Sequence, residues 1–188
     1  PVCHNKYLFS FLLVGVVVVT GAVVLAVSAP HALQKPWAFT ALLIASAAAS
    51  QLRVELPGTS SRSTVSLSSA VDLLSLMLLG PEATVWVASA GAWGQSAIRP
   101  IVRAPAYRVL FNVAAAALMV KAAGLVYLWL GAPPPGTSIS LLESQGGGQV
   151  LVGPLAGAAA VYFACNTALV AAAIGLSTGR SPLRVWQD

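Results

Sequence analysis

Six apolar runs, each long enough for at least four turns of helix and almost free of charge, leave this chain very few folds. They cover about residues 7–29, 37–52, 65–79, 81–98, 109–130 and 150–176, and across all of them only Asp72, Glu82 and Lys121 carry a formal charge. A helix needs roughly 20 apolar residues to cross a bilayer, and in hydrocarbon only helices or closed barrels satisfy every backbone amide. With 57% hydrophobic and 8% charged residues and a mean hydropathy of +0.83, the chain has too few polar side chains to cover a water-soluble domain. The expected fold is an all-α integral membrane protein: one domain of about six transmembrane helices embedded in a lipid bilayer.

The first run lies between Lys6 and Pro30. Its end, Val27-Ser28-Ala29, has the look of a signal-peptidase site, but the run exceeds the 7 to 15 residues of a usual signal core and is read as a span. The second, opening on Trp37, is short, so Arg53 is expected to snorkel to the interface. A Ser/Thr-rich link, Thr59 to Thr64, precedes the third. Gly80-Pro81 then breaks the pattern, and because proline suits the first turn of a new helix, helices three and four are expected to form an antiparallel hairpin. The link Gly131 to Gln149, with Pro133 to Pro135 and Gly146 to Gly148, has no regular period and is expected to be the most mobile segment.

The ten basic residues are scattered rather than clustered, which argues against nucleic acid as a partner. They instead report topology, because cytoplasmic loops are enriched in Lys and Arg. Lys6, Arg53, Arg62, Arg99, Arg103, Arg108, Arg180 and Arg184 fall on one side, Lys35 alone on the other, and Lys121 inside a helix. Eight against one places both termini in the cytoplasm.

Small side chains at Ala47 to Ala49, Ala114 to Ala117, Ala158 to Ala160 and the Gly153/Gly157 pair allow close helix approach, chiefly within the chain. Asp72 and Lys121 sit well inside their runs, each roughly 10 to 15 Å from the outer end at 1.5 Å per residue. A lone charge at the bilayer centre costs at least about 2.5 to 3.5 kcal/mol. The two are therefore expected to approach each other, as a buried ion pair or as the walls of a ligand or proton site. Asn112 and Asn166 are candidates for helix-to-helix hydrogen bonds, and Glu82 suits the positive end of its helix. His4 and His31 lie outside the runs, and no phosphate-binding glycine loop, metal-ligand spacing or nucleophile elbow occurs. No catalytic residue, metal or cofactor is expected, and the chain is not expected to be an enzyme.

Several short stretches, Val65-Ser66-Leu67-Ser68 leading to Asp72, Gly80-Pro81-Glu82-Ala83, Tyr107-Arg108-Val109-Leu110-Phe111-Asn112, Tyr162-Phe163 with Asn166-Thr167, and Gly179-Arg180-Ser181-Pro182-Leu183, carry a resemblance over the last two-thirds of the chain. It resembles the membrane-embedded N-terminal sensor-like regions of bacterial HD-GYP phosphodiesterases and related cyclic-di-GMP signalling proteins. In that family the membrane region precedes a cytoplasmic catalytic domain, and neither the His-Asp nor the Gly-Tyr-Pro motif occurs in these 188 residues. The resemblance implies a non-catalytic input module in the bacterial inner membrane or its invaginations. The alternatives are a structural or accessory subunit of a larger membrane complex, such as a photosynthetic or respiratory one, or a small-solute transporter component. Other membrane proteins are expected partners in each case.

Overall fold

Amides in an apolar run have no hydrogen-bond partners but one another, and the runs fold as helices. The computed structural model describes residues 2–28, 35–51, 53–55, 64–66, 68–97, 105–134 and 149–178. Among them are six helices, α1 (Val2–Ser28), α2 (Pro36–Ala49), α3 (Ser68–Leu79), α4 (Pro81–Ala97), α5 (Ala106–Trp129) and α6 (Gln149–Thr178), with strands β1 (Arg53–Glu55) and β2 (Thr64–Ser66) between α2 and α3. Three helices, α1, α5 and α6, are long and apolar enough to cross a membrane, while α2 and α3 are apolar but shorter. With 12 residues, α3 reaches only about 18 Å, well short of the ~30 Å hydrocarbon core.

The third helix starts at Ser68, not at Val65 as the apolar run suggests. Residues Thr64 to Ser66 pair instead with Arg53 to Glu55 in an antiparallel ladder that sets Val65 opposite Val54. Val and Thr favour a pleated strand over the first turn of a helix. Residues 56–63 and 135–148, which include most of the Ser/Thr-rich link and the Gly146 to Gly148 stretch, lie outside the described residues, as does the side chain of Arg53.

Helix α5 is the central element, packing against α4, α6 and α1, while α4 also carries α2 and α3. Its four-alanine stretch Ala114 to Ala117 is buried throughout, and Val120, Ala123 and Tyr127 continue the same core toward Val85, Ala158 and Tyr162. Outward-facing side chains are equally apolar: Phe11, Val19, Trp37, Trp129, Val152 and Phe163 are all exposed. A contiguous apolar exterior of this kind is stable in lipid rather than water, and the arrangement is that of a multi-pass membrane protein.

Two local devices set the geometry. Gly80 turns the chain from α3 into α4 with a φ of 82°, which glycine adopts without penalty, and Pro81 opens α4. The Gly80 carbonyl then accepts from both the backbone amide (3.2 Å) and the hydroxyl (2.7 Å) of Thr84. Further along α4, Gly91 and Gly94 lie directly against Ser46 of α2 and Ser50 at its C-terminal cap, so that the two helices approach along a stripe of small residues.

Candidate functional site

The charges within the apolar runs are resolved in two separate layers. Lys121 of α5 forms its ion pair with Glu82 in the first turn of α4, and Ser28, at the end of α1, donates to the second oxygen of the same carboxylate at 2.7 Å. Three helices are joined there by one polar cluster. Asp72 of α3 belongs to the other layer: it is 4% exposed, its Oδ2 accepts from the Tyr162 hydroxyl of α6 at 3.0 Å, and its Oδ1 accepts from Ser46 of α2 at 3.4 Å.

The expected Asp72–Lys121 pair is thus not formed. Counted from the C-terminal ends of their own helices, the two residues are level, seven residues before Leu79 and eight before Trp129. The helix ends themselves are not level. Gly124 of α5 packs against Pro81 at the α3–α4 turn, and α5 continues five residues beyond it to Trp129, about 8 Å. Lys121 consequently lies beside the turn, where Glu82 is, and Asp72 lies deeper in the bundle.

Next to Asp72 the helices part. While α6 packs along α5, it touches α3 only sparsely, and the space between them is a cavity of about 700 Å³ bounded by α3, α4, α5 and α6. Its polar wall combines Ser68, Ser69, Asp72, Gln95, Asn112 and Asn166; Phe111, Met119, Tyr162 and Phe163 supply an aromatic and thioether wall, and small alanines of α4 and α5 leave the room. The Tyr162 and Phe163 rings meet edge to face at 5.7 Å and 82°, an arrangement aromatic pairs favour. The hydrogen bond from Tyr162 to Asp72 bridges this gap. A mostly apolar hollow with a few convergent polar groups is the usual form of a small-molecule site.

Both asparagines are at this cavity. Asn112 donates to Ser96 of α4 at 3.0 Å, an α5–α4 link, whereas Asn166 is exposed on the cavity wall and makes no interhelical hydrogen bond among the described residues. A second hollow of about 770 Å³ between α1, α2, α4 and α5 is lined mainly by apolar side chains, Leu25, Leu43 and Val113 among them. Among the described residues no group of three or more His, Cys, Asp or Glu is placed to hold a metal.

Tyr162, Ser46 and Ser28 were not singled out from sequence as partners for charge. For Tyr162 a signal existed: it stands four residues after Ala158, so on one helical face with a member of the small Ala158 to Ala160 stretch that marks a packing surface. Ser46 similarly shares a face with Ser50. Comparisons with protein-family models, with characterised proteins and with solved structures find no match to this chain.

Proposed function

We propose that this chain is a non-catalytic membrane input module that receives a small molecule in the cavity between α3 and α6 and converts its binding into a movement of α6. The observation that carries this reading is the buried Asp72 carboxylate at the wall of a cavity of about 700 Å³, bridged to α6 by one hydroxyl. An occupant bound to that carboxylate draws on the acceptor that Tyr162 uses and would weaken the polar link between α3 and α6. The resemblance to the membrane regions of bacterial cyclic-di-GMP signalling proteins supports the same role, in the cytoplasmic membrane of a bacterium.

Purification from native membranes into lipid nanodiscs tests it, with mass spectrometry of what is released on denaturation. About one small molecule per chain is expected from the wild type, and at least tenfold less from Asp72→Asn, as the loss of one charge-assisted hydrogen bond implies. Recovery of a stoichiometric set of other membrane proteins and no small molecule would select the accessory-subunit reading instead.

The reading includes six spans with both termini in the cytoplasm, for which the eight-to-one distribution of basic residues is the support. The cavity then belongs to the cytoplasmic half, where α3 and α5 begin and α4 ends. Single cysteines between Arg99 and Ala106 are expected to resist an impermeant thiol reagent applied to intact cells and to react after permeabilisation. Labelling from outside would overturn the orientation.

A further inference from the structure

We infer that the cavity between α3 and α6 selects a small organic cation, an amine carried on an apolar or aromatic body. This rests on the reading of the cavity as a ligand site and goes beyond it in naming the ligand's chemistry.

Charge is the first ground. Asp72 is the single charged side chain of the lining among the described residues, and it is buried in a bundle whose exterior is apolar. A carboxyl held away from water ionises only beside a compensating positive charge and otherwise stays neutral. The lysine within the apolar runs cannot supply it, because Lys121 is paired with Glu82 in the other layer. What stands at Asp72 is a pair of hydroxyl donors, one on each oxygen. A carboxylate has about four acceptor sites, so two hydroxyls leave capacity for an ammonium.

The aromatic wall is the second ground. Phe111, Tyr162 and Phe163 line the same cavity, and ring faces attract cations, more strongly where water is excluded. Met119 adds a polarizable surface suited to an apolar body. Gln95, Asn112 and Asn166 bring amide groups whose carbonyl oxygens accept from the remaining N–H bonds of an ammonium. An anionic ligand finds no cation among the described lining residues, and a neutral one lacks the charge-assisted contact that an ammonium makes with the ionised form of Asp72.

The test uses three probes of one shape, 4-fluorophenethylamine, 2-(4-fluorophenyl)ethanol and 4-fluorophenylacetate, titrated by fluorine NMR against the protein in nanodiscs, with empty nanodiscs to subtract partition into lipid. The amine is expected to bind at least about tenfold more tightly than the alcohol, as one charge-assisted contact in an apolar site would give, and the acetate not measurably. D72N should abolish the preference. Y162F, which keeps the carboxylate and removes one of its donors, should retain or strengthen it, and this variant decides the matter should D72N fail to fold. Equal binding of amine and alcohol, or an amine preference that survives in D72N, would overturn the cation assignment while leaving the cavity a ligand site. Binding of none of the three would overturn both.

Discussion

Replacing Lys121 with methionine is expected to destabilise the protein by about 2 to 3 kcal/mol, because it takes the lysine cation away from the Glu82 carboxylate inside the bundle. The range lies below the 3 to 5 kcal/mol typical of breaking a fully buried pair, since the two side chains are 26% and 31% exposed. Unfolding in mixed micelles by titration with a denaturing detergent measures it. The double variant Lys121→Met with Glu82→Gln should recover most of the loss, giving a coupling of about 1 to 3 kcal/mol. By contrast, Lys121→Met and Asp72→Asn share no partner, and their effects should add to within about 0.5 kcal/mol. A coupling between Lys121 and Asp72 larger than that between Lys121 and Glu82 would refute the two-layer arrangement.

An extra methyl group at Gly21 should be comparably damaging. A Cβ there would stand 2.5 Å from the Cβ and 2.6 Å from the Cα of Ala114, and the latter is backbone of the central helix, which cannot rotate aside. The helices α1 and α5 would have to separate, and Gly21→Ala is expected to lose about 1 to 3 kcal/mol, the usual range for overpacking. Gly15, six residues earlier in α1, has nothing within 4 Å of the same position. There Gly15→Ala should be neutral or raise stability by up to about 1 kcal/mol through helix propensity alone. The pair of variants, measured in the same micelles, separates a packing effect from a propensity effect. Equal responses at the two positions would mean that α1 does not seat on Ala114.

The contrast between these two glycines shows how far a linear reading goes. Both stand in one uncharged apolar run, and nothing in the residues around them says which touches another helix. The Gly153/Gly157 spacing teaches the same lesson: Gly157 packs against Leu130, while Gly153 has open space. The alanine stretch of α5 was legible as a packing surface because four small residues in succession cover every face of the helix. A single small residue covers one, and which face is turned inward depends on neighbours.

Sequence alone determined where the helices lie, since hydrocarbon leaves an apolar run no alternative to internal hydrogen bonding. It located the hairpin at Gly80-Pro81, because left-handed backbone followed by a ring-fixed φ is local chemistry. It also marked Asp72 and Lys121 as groups that must find partners, since desolvation is a property of the charge itself. Tertiary structure decided who the partners are. Position along a helix measures depth only from that helix's own end, and α5 overruns the α3–α4 turn, so that residues equally distant from their ends came to lie in different layers. The strand pairing of Thr64 to Ser66 and the gap between α3 and α6 were likewise decided in three dimensions. The first depends on a partner nine or more residues away, the second on α6 following α5 and leaving α3 linked to it by Tyr162 and Asp72.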